Sequence, residues 1–266
     1  MKKILFLISV LLLILVGSYL YQRDAAYPEF ATEALNSAYP QANFEFYTDA
    51  ENNTYAQLLG EAILLSPSSG CPSVEINTDS NPPLCATFNF PYPAGPGGRY
   101  PEAGFDPGRI RNQTLLMKLY GNSAQAVKGN SVMVDFLGKK VLFNENHGAA
   151  AALGRVSKRL EKSLVSDPKL KEYIFPLGGT FDWRVVQNSS RLSPHSFAIA
   201  IDLNVDKGIY WLWDYKNKPQ LLEQTRKNYP QAIVDAFEAE GFIWGGKWAS
   251  FDFMHFEYRP EMFVGR

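Results

Sequence analysis

The chain has 266 residues, with 26 basic and 27 acidic side chains and a formal net charge of −1. This length is sufficient to bury an ordinary hydrophobic core without metal or disulfide support. The charges are balanced and no long run of Lys or Arg follows residue 3, so the sequence predicts no nucleic acid as a partner.

The N-terminus combines Lys2 and Lys3 with an almost uninterrupted apolar run from Ile4 to Val16, a pattern typical of export signals. Extended to Tyr21, the apolar stretch is borderline in length for crossing a bilayer. We predict that residues 1–21 act as a signal anchor, or alternatively as a cleaved signal peptide. The predicted protein is therefore exported, lying in the periplasm or on the extracytoplasmic face of the membrane, with the membrane as a partner of its N-terminal segment.

Residues 22–112 are predicted to form an irregular N-terminal extension, because turn-forming residues dominate from Cys71 onwards. One amphipathic helix is predicted within it, in TYAQLLGEAILLS at residues 54–66. The only two cysteines, Cys71 and Cys85, lie in a turn-rich stretch. In an exported chain such a pair is more typical of a disulfide than of a metal site, so we predict a Cys71–Cys85 bond.

Regular patterns return in residues 113–266, which we predict to form one domain. VMVDFLGKKVLFN predicts a hairpin, and the apolar spacing in AAALGRVSKRLEKSLV and YPQAIVDAFEAEGF predicts two helices. Strand-like segments occur in SFAIAIDLNV and FDFMHFEY. Because strands and helices do not alternate regularly, the sequence predicts an α+β fold with a small, mostly antiparallel sheet and flanking helices.

The two strand-like segments carry His195, Asp202, Asp252 and His255. A two-residue period places Asp202 on the same face as small alanines, which would leave a cavity beside the carboxylate. Buried imidazole and carboxylate groups are costly unless they are paired or bound to a cation, and His and Asp are usual zinc ligands. We predict that His195, Asp202 and His255 bind one zinc ion per chain, leaving one coordination position open.

Asp252 precedes His255 by three residues and is predicted to be the catalytic base rather than a ligand. On a regular strand these two side chains would face opposite ways, so the chain must turn or bulge between them. A second interpretation stays open, in which Asp202 caps a turn and His195 is satisfied by backbone groups.

SPHSFAIAID followed by DFMHFE resembles the signature of the zinc D-alanyl-D-alanine carboxypeptidases and L-alanyl-D-glutamate endopeptidases, the VanY-like peptidoglycan peptidases. With GGTFDWRVV upstream, the resemblance extends over about residues 130–266. It implies a Hedgehog/D,D-peptidase-like zinc fold and the roles just given to the four residues. It also implies that Arg184 acts in catalysis and binds substrate, and that Ser193 contacts substrate. Ala198 stands where the family usually has Gly.

Two further residues have alternative interpretations. Glu257 could orient a metal ligand or the substrate, or could form an ordinary salt bridge to Arg259. His147, near Glu145, could be a third imidazole of the site, although a solvated residue near a helix start is the more usual interpretation.

The leading hypothesis is an exported zinc metallopeptidase that hydrolyses an amide bond in peptidoglycan stem peptides. It would be a D,D- or L,D-carboxypeptidase or an L-alanyl-D-glutamate endopeptidase. The alternative is a non-catalytic, zinc-containing module that binds or scaffolds the cell wall. Asp252 favours the enzyme, since a binding module has no need of an acid beside the metal. The oligomeric state and the bond that is cut stay open.

Overall fold

The computed structural model describes residues 28–74, 81–96, 104–187, 189–214 and 225–265. Within these ranges, no helix is long and apolar enough to cross a membrane. This finding contradicts the prediction that the membrane is a partner of the chain. The apolar segment on which that prediction rested, residues 1–21, lies outside the described residues.

The N-terminal part of the described chain is a helix followed by a small antiparallel sheet. Helix α1 covers residues 28–38. The sheet has the order β1-β2-β3, with the strands Glu45–Thr48, Thr54–Leu58 and Glu61–Ser66. Residues 28–66 are therefore more regular than the predicted extension.

The helix predicted over residues 54–66 is wrong, because this stretch forms the hairpin β2–β3. Leu59 and Gly60 both have positive φ, 48° and 77°, as the tightest hairpin turns require. Ala56 and Leu58 are both buried on β2. The apolar residues at 58, 59 and 62–65 satisfy a helical period as well as an alternating one, which is why the spacing misled.

The predicted disulfide is confirmed: Cys71 and Cys85 are bonded, with their Cα atoms 5.9 Å apart. Cys85 lies in a 3₁₀ turn, Leu84–Phe88, whose five residues are all buried. The bond therefore fastens the start of a turn-rich stretch to a buried part of the protein.

Replacing both cysteines by Ser is expected to lower the free energy of unfolding by about 3 kcal/mol, because the bond restricts a loop of this size in the unfolded chain. Denaturant unfolding of the two proteins would measure the difference. The wild type under reductant serves as the control and should lose the same amount. A loss below about 1 kcal/mol in both cases would contradict this role.

The middle of the chain contains the hairpin predicted from VMVDFLGKKVLFN and the helix predicted from AAALGRVSKRLEKSLV, and both are confirmed. Strands β4 and β5, Ser131–Phe136 and Lys139–Asn144, pair antiparallel. Helices α2 and α3 precede them, at Gln113–Tyr120 and Ala124–Gly129. Helix α4, Ala149–Ser166, buries Leu153, Val156 and Leu160 and packs against β4.

The C-terminal part holds a second antiparallel sheet of three strands, with the order β6-β8-β7. Strand β6 is Ala200–Asp202, β7 is Phe242–Trp244 and β8 is His255–Tyr258. The remaining helices are α5 Lys171–Ile174, α6 Trp211–Asp214, α7 at residues 225–228 and α8 Gln231–Glu238. The helix predicted from YPQAIVDAFEAEGF is α8, which packs against α4 and β7. Mixed helices and small antiparallel sheets confirm the α+β class.

Candidate metal centre

The central strand β8 and its neighbour β6 bring Asp202 and His255 face to face. The two residues are directly paired in the antiparallel register. His195 reaches the same place from a 3₁₀ turn, Pro194–Phe197, that leads into β6. Ser193 begins this turn, and its hydroxyl accepts a hydrogen bond from the backbone N–H of His195 at 3.4 Å.

Ala198 ends the 3₁₀ turn in a left-handed conformation, with φ 53° and ψ 41°. SFAIAIDLNV is therefore not one regular strand, and only Ala200–Asp202 pairs in the sheet. The predicted alternation between two faces is wrong for Ala198, since its backbone is left-handed rather than extended. The left-handed backbone also explains why a glycine suits this position.

Ala198→Gly is expected to change the free energy of unfolding by less than about 1 kcal/mol. Release of left-handed strain, about 1–2 kcal/mol, is offset by the lost methyl burial and the greater freedom of unfolded Gly. The matched control is Ala200→Gly, which is equally buried but extended and should cost about 1.5 kcal/mol. Equal losses in the two variants, measured by denaturant unfolding, would show that Ala198 is not strained.

Three side-chain atoms form a nearly equilateral triangle. His195 Nε2 lies 3.2 Å from Asp202 Oδ1, His255 Nδ1 lies 3.0 Å from the same oxygen, and the two nitrogens are 3.3 Å apart. Tetrahedral zinc with Zn–N bonds near 2.0–2.1 Å separates its ligand atoms by about 3.3 Å. The donor set and its spacing therefore fit a zinc ion, and this group is compatible with metal binding.

The outward nitrogens of both imidazoles have partners that direct the inward nitrogens to the triangle. His195 Nδ1 lies 3.2 Å from the carbonyl of Thr180, and His255 Nε2 lies 3.1 Å from Glu257. Each outward nitrogen is therefore best placed to carry the proton, which leaves the lone pair of the other nitrogen for a metal.

Glu257 is fully buried and is held by two arginines as well as by His255. Arg111 donates to one carboxylate oxygen and Arg259 to the other, both at 2.9 Å. Burial raises the pKa of Glu257, but Arg111, the His255 hydrogen bond and Arg259 lower it well below the usual range. Glu257 thus fixes the His255 ring and forms the salt bridge to Arg259, so both sequence interpretations describe part of its contacts.

Without a cation, the histidine on β8 would be strongly basic. Burial lowers the pKa of His255, but hydrogen bonds to Asp202 and Glu257 outweigh burial and raise it to about 10. A proton and a metal ion therefore compete for the same nitrogen of His255.

Asp252 lies before β8, and a turn over residues 253–254 separates it from His255. Its carbonyl accepts the N–H of His255 at 3.3 Å, so the backbone bends where the sequence required it. The Oδ1 atom is buried and has no hydrogen-bond partner among the described residues. Burial raises the pKa of Asp252 to about 6, within the range that suits a general base.

One cavity of about 440 Å³ connects these groups. The sequence had singled out six of the side chains that line it: Arg184, Ser193, His195, Asp202, Asp252 and His255. Arg184 is exposed at the rim and pairs with Asp182 at 3.0 Å. His147 is not part of this lining; its ring packs edge-on against Tyr39 and Tyr120.

Residues 187–258 match the family model described as D-alanyl-D-alanine carboxypeptidase. The predicted family resemblance is confirmed over this stretch. This carboxypeptidase-family segment, residues 187–258, holds the three atoms of the triangle and Asp252. It is shorter than the stretch of about 130–266 expected from the sequence, and it leaves out Arg184. No solved structure matches the chain.

Among the cavity-lining residues missed by sequence reasoning are Arg109, Arg111 and Tyr210. Two of them lie before the carboxypeptidase-family segment, in the stretch DPGRIR, where turn-forming residues concealed their importance. Two arginines separated by one residue in a chain of balanced charge were the available signal, although spacing alone could not place them beside β8.

Proposed function

We propose that this protein is an exported zinc metallopeptidase that hydrolyses an amide bond in peptidoglycan stem peptides. The main support for this proposal is the triangle of His195 Nε2, Asp202 Oδ1 and His255 Nδ1, which lines the same cavity as the buried carboxylate of Asp252. The match of residues 187–258 to a peptidase family supports the reaction class.

A zinc ion bound by these three residues would supply Lewis acidity, which polarises a carbonyl and acidifies water. Asp252 accepts a proton from the attacking water, whose oxygen bonds to the scissile carbonyl carbon. The carbon–nitrogen bond then breaks, and Asp252 returns the proton to the leaving amine. Arg184 has a planar guanidinium at the cavity rim, suited to a substrate carboxylate or to the developing oxyanion.

Ser193 has a structural contact besides its proposed contact with substrate. Its hydroxyl accepts the backbone N–H of His195, while its own N–H donates to the carbonyl of Arg184 at 2.9 Å. Ser193 therefore links the residue at the rim to the turn that carries a proposed metal ligand.

The alternative is a non-catalytic, zinc-containing module that binds or scaffolds the cell wall. A binding module would gain nothing from Asp252, because a buried carboxylate oxygen without a partner costs stability. In a hydrolase the same oxygen is available to the attacking water. The Oδ1 atom of Asp252, which has no hydrogen-bond partner in the described part of the chain, therefore favours the enzyme.

The proposed location outside the cytoplasm is supported by the disulfide, since such bonds persist in oxidising compartments. Peptidoglycan is also met outside the cytoplasmic membrane.

The experiment is digestion of purified muropeptides, with the products separated by mass. The wild type should release an amino acid or a stem fragment, chelator should abolish the release, and added zinc should restore it. Release that persists unchanged in a metal-free protein would contradict the zinc mechanism. A protein that contains zinc, binds muropeptides and releases nothing would favour the non-catalytic alternative.

A further inference from the structure

Arg109 is a buried cation that forms no ion pair with any of the described residues. Only 8 % of its surface is exposed. The carboxylates of Asp106 and Asp252 attract its guanidinium electrostatically, but no carboxylate of the described residues lies within ion-pair distance of it. Its neighbour Arg111 differs, because Arg111 is paired with Glu257. A buried charge without an ion-pair partner is costly. An anion bound from outside the chain would therefore stabilise the guanidinium of Arg109.

The backbone around Arg109 is firmly held beside the metal centre. Its N–H donates to the carbonyl of Asp106 at 3.1 Å, and the Asp106 side chain accepts the N–H of Ser250 at 2.9 Å. The Arg109 guanidinium donates to the carbonyl of Ser250 and lies 5.0 Å from the ring centre of Trp248. The Trp248 ring is in turn 5.7 Å from that of His255, so Arg109 is one aromatic ring away from the triangle.

Tyr210 places Arg109 on the same side of the cavity as Asp252. Its side chain hydrogen-bonds to Arg109, and its backbone pairs with that of Asp252 in an isolated bridge. In the proposed reaction Asp252 passes its proton to the leaving amine. An anion held by Arg109 would therefore belong to the leaving part of the substrate.

The charges on the cavity lining also favour an anionic substrate. Three guanidinium groups, of Arg109, Arg111 and Arg184, line the cavity together with two carboxylates, of Asp202 and Asp252. Arg111 and Arg184 are partly neutralised by Glu257 and Asp182, which lie outside the lining. A bound zinc ion would add two more positive charges. A cavity with an excess of one sign attracts ligands of the other.

We propose that Arg109 binds the α-carboxylate of the leaving residue, on the carbon that carries the scissile nitrogen. The planar fork of a guanidinium matches a carboxylate and can donate two parallel hydrogen bonds. This inference rests on the proposed function. Two peptidoglycan bonds share the chemistry: D-alanyl-D-alanine, whose leaving residue ends the chain, and L-alanyl-D-glutamate, whose leaving residue keeps a free α-carboxylate when its γ-carboxyl is linked.

The first test uses the wild type and two matched pairs of synthetic peptides. One pair ends in D-Ala-D-Ala, as the free acid or as the C-terminal amide. The other contains L-Ala-γ-D-Glu, with the α-carboxylate free or amidated. In the pair that is cleaved, the acid should have a kcat/KM about 10- to 100-fold above that of the amide, the range for hydrogen bonds to a charged group. Which pair is cleaved identifies the source of the carboxylate.

The second test asks whether Arg109 carries this preference. Arg109→Gln should reduce the acid-to-amide ratio about tenfold or more, mainly through KM, and should keep the zinc content of the wild type. Arg109→Lys keeps the charge without the planar fork and should retain an intermediate ratio. The matched control is Arg155→Gln, which removes a guanidinium that pairs with Glu240 outside the cavity lining and should leave the ratio unchanged.

The outcomes separate this inference from the proposed function. A wild type that cleaves acid and amide equally well overturns the inference, even if no Arg109 variant folds. An Arg109→Gln protein with lower activity but an unchanged ratio also overturns it, because a merely structural arginine would weaken both substrates alike. If the zinc-loaded wild type cleaves neither pair and no muropeptide, the proposed function itself fails.

Discussion

Asp252→Asn is expected to keep the metal and the fold while losing most of the peptidase activity. The amide matches the carboxylate in shape, but it cannot accept the proton of the attacking water. Loss of a positioned general base lowers the rate by about 10²–10⁴-fold, and we expect the upper part of this range. The measurement is kcat on muropeptides beside the zinc content and the thermal midpoint of each protein.

Asp206→Asn is the matched control for this variant. Asp206 follows β6 on the exposed surface and does not line the cavity, so the same chemical change there should leave the rate unaltered. Wild-type turnover in a zinc-loaded Asp252→Asn protein would show that another group activates the water.

His195→Ala and His255→Ala are each expected to lose zinc and, with it, all measurable hydrolysis. Protein purified without added metal should contain about one zinc per chain, because two imidazoles and one carboxylate leave the fourth tetrahedral position open. Elemental analysis of wild type and variants gives the content directly. Removing one of three ligands leaves a pair that cannot hold the ion against dilution.

His147→Ala tests whether the loss is specific to the site. This third histidine packs against Tyr39 and Tyr120 rather than joining the triangle, so its variant should keep the metal even if it is less stable. Full zinc occupancy in both His195→Ala and His255→Ala would overturn the ligand assignment.

The sequence predicted which side chains converge better than it predicted the backbone that presents them. His195, Asp202 and His255 were recognisable because rare polar groups stood in apolar segments. The left-handed turn at Ala198 was not recognisable, since period-two alternation continues through it. Likewise, the spacing in residues 54–66 suited a helix, whereas in the structure β2 pairs with β3 on one side and with β1 on the other. Propensity describes a segment, whereas the pairing partner is chosen by the rest of the chain.

The contribution of residues 104–112 was beyond sequence reasoning for a different reason. Arg109 is placed at the cavity by contacts with Trp248 and Ser250, and Arg111 by its ion pair with Glu257. All three partners lie more than a hundred residues away along the chain. Long-range partners of this kind leave no local pattern. The domain boundary predicted at residue 113 stays a prediction, and it would separate these arginines from the cavity they line.

The buried polar chain through Glu257 has a consequence for how the protein unfolds. Tyr39 donates to Glu261 at 2.6 Å, Glu261 accepts from Arg259 at 2.5 Å, and Arg259 and Arg111 share Glu257. Detaching the N-terminal residues would take the Tyr39 hydrogen bond away from the buried Glu261 carboxylate, which is costly. The N-terminal sheet and the metal centre should therefore melt in a single cooperative transition, and chelating the metal should lower the melting temperature of both together.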